Sequence, residues 1–409
     1  MELKLNYQRE GCRSGELQFD RIPLETPMFL LYTRSGAIPH VAIWNDLLEH
    51  NYFTPIQLTL PTLVDQPSIE LVKGLDKGIH SFIGQKTLSV LTVQDPAADL
   101  PSGYNEDKSV SVWNAGGRRK VDVAQFSSTL LSFRPNVVEC LCDTIPSKGQ
   151  TPKRIKKSVD RTLKYLDEIV TFKEENKALE NCSLLGAIEG SDSISERIRS
   201  AKETASRQVE GFVLEGFDGS ADDWTNLLTR TVSELPENKP RFIQGIKTPD
   251  DIIKAVECGI DVFDSSFPYQ VSERGCALIF PSPNKKFKPE SSHIESVMAT
   301  TAPETESKEN KDKNNDNEEG NKKNLPSSTK YEIDLHDTRF KSDMSSIDSC
   351  GCYCCTSHSR AYVHHLLVTK EMLAQVLLMM HNMHQYSKFF EQMRQALNDG
   401  KWNEFKSRF

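Results

Sequence analysis

The chain has 409 residues, too many for one minimal domain and a comfortable length for one large barrel with an insertion. A formal charge of -8 excludes a surface that grips nucleic acid all over, so any such contact is local or shared with a partner. Hydrophobic residues make up only 37%, which leaves part of the chain outside any core, and no run of about 18 apolar residues reads as a membrane span.

The opening stretch, MELKLNYQREG, lacks the apolar centre of a signal peptide. The expectation is a cytoplasmic protein without integral membrane contact, compatible with peripheral association at an organelle surface such as the mitochondrial outer membrane. Eight β-rich runs then follow at 28–32, 56–60, 109–113, 137–141, 184–188, 211–215, 241–245 and 260–264. Most are near-continuously apolar, as strands buried on both faces should be. Helical patterns lie between them. Over 154–170 the apolar residues Ile155, Val159, Leu163, Leu166 and Val170 share one face. Thr248-Pro249-Asp250-Asp251 supplies a cap, a first-turn proline and first-turn acids for the segment after it. Strands alternating with helices predict an α/β fold, a (β/α)8 TIM barrel. An open doubly wound sheet has the same alternation, because strand count alone does not close a barrel.

Residues 303–324 contain no aliphatic or aromatic side chain. Such a stretch cannot bury enough apolar surface to offset its ordering entropy. The reading is therefore a barrel over 1–284, a mobile polar insertion over 285–343 and a metal-binding C-terminal subdomain over 344–409.

Four of the ten cysteines crowd into Cys350-Gly351-Cys352-Tyr353-Cys354-Cys355. With no export signal, this density points to metal rather than to disulfides. Thiolates two and three residues apart can converge on one Zn²⁺ in a tight turn. A Cys-x-Cys-x-x-Cys reading uses Cys350, Cys352 and Cys355 and leaves Cys354 out. The fourth ligand should come from the helix expected over 371–394, which carries His381 and His384. His358, His364 and His365 are nearer in sequence, and spacing alone does not exclude them. Upstream, Lys153, Arg154, Lys156 and Lys157 form a basic cluster. It is either a solvated helix face or a phosphate contact.

Three thiolates in this pattern followed by His381-Asn382-Met383-His384 resemble the zinc site of the tRNA-guanine transglycosylase family. The family spacing selects His381 and implies one Zn²⁺ per subunit. The resemblance extends to Pro240-Arg241-Phe242-Ile243-Gln244-Gly245, to Gly259-Ile260-Asp261-Val262-Phe263-Asp264, and to Glu25-Thr26-Pro27 before the first strand, so it covers nearly the whole chain outside the insertion. The family exchanges a tRNA guanine for a modified base. It uses a nucleophilic carboxylate, a second carboxylate as general acid/base, and groups that read the flipped base, all at the C-terminal ends of barrel strands.

Measured against that pattern, the nucleophile position keeps Asp264, but Pro268-Tyr269-Gln270 lacks the arginine that follows in active members. The second carboxylate of an Asp-Ser-Gly-Gly motif matches Asn114-Ala115-Gly116-Gly117, an amide. The base-reading aspartate falls on Cys142, with Asp143 one residue late. A Val-Gln-Gly-Gly motif appears as Ile188-Glu189-Gly190-Ser191, and a Gly-Gly pair as Glu215-Gly216, where a side chain should fill space a base needs. The resemblance thus implies a subunit with vestigial Asp264 and Asn114 and no catalysis of its own. It implies a heterodimer with a catalytic homologue, tRNA contact through the complex, and exchange of guanine for queuine at the wobble position of tRNAs with GUN anticodons. The alternative is an active transglycosylase with Asp264 as nucleophile.

Overall fold

The computed structural model describes residues 1–19, 22–41, 54–84, 87–98, 104–114, 116–217, 219, 223–281 and 329–409. The predicted barrel is there. Strands β4 (Met28–Tyr32), β5 (Ile56–Thr59), β6 (Ser89–Thr92), β9 (Val137–Glu139), β10 (Ser183–Ile188), β11 (Gly211–Leu214), β12 (Arg241–Ile243) and β13 (Val262–Asp264) form one closed barrel in chain order. All eight pairings are parallel, and β13 closes onto β4 with Phe263 opposite Phe29. Closure excludes the open doubly wound sheet.

One strand assignment needs correction. The run at 109–113 is not in the barrel. It is β7 (Ser109–Asn114), paired antiparallel with β8 (Gly117–Asp122) as a separate hairpin. The third barrel strand is β6, whose Ser89 and Thr92 break its apolar run and hid it. The two patterns differ physically: Ser109-Val110-Ser111-Val112-Trp113 alternates polar and apolar residues, the mark of an antiparallel ribbon.

An antiparallel sheet of β1 (Glu2–Arg9), β2 (Cys12–Phe19) and β3 (Ile22–Thr26) covers the barrel end where the strands begin. Leu3, Leu17, Phe19 and Leu24 form one core with the inward residues Leu30, Val90, Leu185 and Val213. Beside them the Arg13 guanidinium is buried against Asp261, with Nε 2.7 Å from Oδ1, and Asp261 also accepts the Arg241 amide at 2.7 Å. That end is plugged, so the open end is the C-terminal one.

The helix Pro152–Glu175 starts as its sequence dictates, with Pro152 in the first turn and Thr151 Oγ1 accepting the Arg154 amide. Thr248 caps Pro249–Glu257 in the same way, accepting the Asp251 amide at 3.2 Å. The expected C-terminal helix spans Leu373–Asn398. Its Tyr386 and Phe390 rings each sit 5.2 Å from Phe29, so it clamps the seam where first and last strands meet.

The polar insertion is shorter than 285–343. Residues 303–324 lie outside the described residues, but 329–343 belong to the C-terminal lobe. There β15 (Glu332–Asp334) pairs antiparallel with β14 (Cys276–Leu278), followed by a 3-10 turn over Thr338–Ser342. Tyr331, Ile333, Leu335 and Phe340 are buried. Four well-spaced apolar side chains are what distinguish this stretch from the polar run before it.

Candidate metal centre and barrel mouth

The C-terminal lobe has its own core, in which Cys352 and Cys354 pack with Ala277, Ile333, Leu335, Val363 and Leu377. Cys350 and Cys352 precede a short helix over Tyr353–Ser357, on which Cys355 lies. Within it the Cys355 amide donates to Cys352 Sγ, and the Asp348 amide donates to Cys355 Sγ, both at 3.4 Å. His381 comes from the long helix. Its Nδ1 lies 3.6 Å from Cys350 Sγ, 3.5 Å from Cys352 Sγ and 3.3 Å from Cys355 Sγ, and the first two sulfurs are 3.4 Å apart. Four donors around a tetrahedral Zn²⁺ would stand roughly 3.5–3.8 Å from one another, given the usual Zn–S and Zn–N lengths. The donors are soft and the spacing fits, so this Cys/His cluster could hold a metal. The other ring nitrogen, His381 Nε2, is 2.8 Å from the Leu278 carbonyl, which fixes the tautomer and leaves Nδ1 free to ligate. Asn382 accepts the Leu278 amide at 2.7 Å and donates to the Cys276 carbonyl at 3.1 Å, pinning the helix to β14.

The competing histidines point elsewhere. His364 is held by the Leu335 carbonyl at 2.8 Å, and His358 stacks on Tyr362. Cys354 is buried in the lobe core, away from the three converging thiols.

At the barrel mouth the ends of four strands converge. Asp264, at the end of β13, is buried. Its carboxylate accepts the Gly245 amide at 2.7 Å and the Ser266 amide at 2.8 Å, while its carbonyl accepts the Tyr386 hydroxyl at 2.9 Å. Burial raises its pKa against the pull of those amides. Glu139 ends β9, Glu189 follows β10 and Glu215 follows β11, and all three are buried. Glu139 Oε2 accepts the Val93 amide and Gln244 Nε2, each at 3.0 Å, while Oε1 faces Cys142 Sγ at 3.7 Å. Thr144 Oγ1 sits 3.1 Å from Cys142 Sγ and donates to Glu215 Oε2 at 3.1 Å. Desolvation, then repulsion from Glu215, pushes Glu139 and Glu189 well above the ordinary carboxylate range. Arg197 is fully buried nearby, its guanidinium stacked 4.2 Å from the Phe217 ring centroid and bonded to the Ile188 and Ser191 carbonyls. Deeper in the barrel, among Leu30, Val90, Leu185, Val213 and Val262, lies a cavity of ≈ 10 Å³. That is about the space of one water.

A closed eight-stranded barrel with a Cys/His lobe on its last strand can be set beside known proteins. The family model for queuine tRNA-ribosyltransferase matches residues 9–409. This chain belongs to that family. Curated relatives are similar over nearly their full length. One from Xenopus tropicalis is 41% identical over 98% of this chain and 97% of its own. One from Gallus gallus is 40% identical over 97% and 93%, and one from Homo sapiens 37% identical over 99% and 98%. All three are named queuine tRNA-ribosyltransferase accessory subunit 2.

Within the queuine tRNA-ribosyltransferase frame, the site residues expected from sequence fall as follows. Asn114 does not stand at the end of a barrel strand. It lies on the β7–β8 hairpin, donating to Asp65 at 2.7 Å and accepting the Gly116 amide. The stretch that leaves β6 is Val93-Gln94-Asp95-Pro96, without an Asp-Ser-Gly-Gly motif. It does carry Asp95, buried, taking the Tyr32 hydroxyl at 2.9 Å and the Ala97 amide at 2.9 Å. The mismatch followed from choosing the hairpin as the third strand. Asp143, one residue late against the family pattern, is fully buried against Arg154, Arg161 and Asn105, facing the helix Pro152–Glu175. That bidentate pair, at 2.7 and 2.6 Å, also takes Arg154 out of the proposed basic face. Lys157 pairs with Asp107 at 2.9 Å, and Lys153 and Lys156 are exposed. Glu139 and Arg197 were not singled out from sequence. Glu139 sits at the end of an apolar run, and an ionisable residue closing a buried strand is the signal that would have found it.

Proposed function

We propose that this chain is the non-catalytic subunit of a queuine tRNA-ribosyltransferase. It works in the cytoplasm with a catalytic homologue in a heterodimer that exchanges guanine for queuine at the wobble position of tRNAs with GUN anticodons. The observation that carries this reading is the change of side chains at the mouth. Where the family pattern has base-reading groups and a Gly-Gly pair, Cys142, Glu189 and Glu215 stand buried. Asp264 is present, but its two carboxylate oxygens are spent on backbone amides and its carbonyl on Tyr386.

Cys350, Cys352, Cys355 and His381 hold one Zn²⁺ in this reading. The donor set is complete, so the ion offers no open position to substrate and supplies folding energy instead. Lys153 and Lys156, at the start of the helix after β9, stand on the mouth side of the barrel and give tRNA phosphate a contact there. Among the described residues no helix is long and apolar enough to cross a membrane.

The test is base exchange. The purified chain, tRNA and labelled guanine are incubated alone and with a catalytic partner. Incorporation is expected only with the partner. Incorporation by the chain alone, abolished by Asp264→Ala, establishes the active-enzyme reading in its place.

A further inference from the structure

Three carboxylates, a thiol and one guanidinium are enclosed together at the mouth, and their hydrogen bonding is lopsided. Glu139 Oε2 is saturated by the Val93 amide and Gln244, which turns Oε1 toward Cys142. Thr144 ties the Cys142 sulfur to Glu215. One donor atom from each of Glu139, Cys142 and Glu215 lies within 4.8 Å of the other two. Glu189 is fully buried beside them, and neither of its carboxylate oxygens has a hydrogen-bond partner; the Nη2 of Arg197 has none either. A buried carboxylate with both oxygens unmet costs several kcal/mol, so a group is missing from its surroundings.

We propose that Glu139, Cys142 and Glu215, with the unmet Glu189 carboxyl close by, form a second metal site, distinct from the Cys/His cluster, for a divalent transition cation such as Zn²⁺. The charges favour it: with three carboxylates and a ligating thiolate against one guanidinium, the ionised set carries three negative charges, of which a divalent ion cancels two and a proton on one carboxyl the third. The donors fit it: oxygen and sulfur around tetrahedral zinc stand about 3.5 Å apart, and Glu139 Oε1 and Cys142 Sγ are 3.7 Å apart. The surroundings fit it too. Gln244 and the Val93 amide orient Glu139, and Thr144 orients Cys142 and Glu215, as outer groups do around metal ligands. With two carboxylates, one thiolate and no histidine the site is harder than the Cys/His cluster. The ion would act as a plug, stiffening the mouth where the family has a base pocket. This inference does not depend on the accessory reading.

The experiment counts metal. The full chain is produced in zinc-supplemented medium, and all first-row transition metals are measured by mass spectrometry. Two ions per chain are expected, falling to one in Cys352→Ser and to one in Cys142→Ala. Zinc-edge absorption of the Cys352→Ser protein should show a shell dominated by oxygen with about one sulfur. If Cys352→Ser does not fold, the wild-type count and Cys142→Ala decide. One ion in the wild type, or two in Cys142→Ala, overturns the proposal; the carboxyls are then neutralised by protons. Neither result bears on base exchange, so the two readings fail separately.

Discussion

The metal lobe and the barrel mouth are both built from side chains converging on one point, and they differ in how completely those side chains are tied. In the lobe three of the four donors are fixed from behind: His381 by the Leu278 carbonyl, Cys352 by the Cys355 amide, Cys355 by the Asp348 amide. At the mouth Glu189 keeps both carboxylate oxygens unmet beside Glu139 and Glu215. The lobe therefore retains its donor chemistry while the mouth retains positions and changes what stands on them. A barrel tolerates such change because its strand cores, and the plug of β1, β2 and β3 at the other end, fold without help from the mouth.

The largest effect should come from breaking the lobe. Cys352→Ser removes one donor from a closed set. Structural zinc supplies apparent binding energies of about 10–16 kcal/mol in small domains, as much as the whole stability of a typical fold. The expected outcome is loss of zinc from the Cys/His cluster, a lower melting temperature and protease sensitivity from residue 329 onward. Zinc retained by that cluster, seen as an unchanged sulfur-rich shell in absorption spectra, would reassign the ligands.

Next is Asp264→Ala, which sharpens the contrast from the mouth side. Two amides, those of Gly245 and Ser266, lose their acceptor. Each buried unsatisfied donor costs about 1–3 kcal/mol, so denaturant unfolding should show a drop of about 2–6 kcal/mol for the two. Exchange by the reconstituted heterodimer should stay near wild type. A stable, assembled dimer without exchange would place Asp264 in the chemistry.

The same contrast governs how much could be read from sequence. Seven of the eight barrel strands were legible because burial on both faces leaves a near-continuous apolar run. The third was not: Ser89 and Thr92 interrupt β6, while the alternating hairpin at 109–113 offered a competing pattern, and the error carried Asn114 with it. The metal cluster was legible because three thiols in six residues need little folding to meet, and the family resemblance then chose His381 among five histidines. The mouth was legible only in part. Cys142, Glu189 and Glu215 stood out as departures from a motif, but their union with Glu139 and Arg197 depends on the ends of β9, β10 and β11 and the helix Ile194–Ala205 meeting, which the strand order brings about.

A smaller effect is expected from the basic face. Lys153→Glu with Lys156→Glu should weaken tRNA binding by the complex several-fold. It should also flatten the salt dependence, by about one unit of slope for each phosphate that a lysine had neutralised. Arg154→Ala is the control, because its guanidinium is spent on Asp143. It should lower stability and leave the salt slope alone. An unchanged slope in the double variant would return these lysines to an ordinary solvated face.

The smallest effect should follow deletion of residues 303–324. The stretch between the two described ends, 282–328, leaves and re-enters the fold at one place. There β14 and β15 pair antiparallel, and the Ile279 amide donates to the Tyr331 carbonyl at 2.8 Å. Removing 303–324 roughly halves the loop this stem closes. Closure entropy changes by only about 0.6 kcal/mol per twofold change in loop length, and a shorter loop is the cheaper one to close. The deleted residues bring no apolar side chain that could pack on the lobe. The deletion should therefore leave the melting temperature within a few degrees of wild type, shifted upward if at all, with partner binding unchanged. A fall equivalent to more than about 1 kcal/mol would mean that the segment packs, and would move the border of the lobe upstream of residue 329.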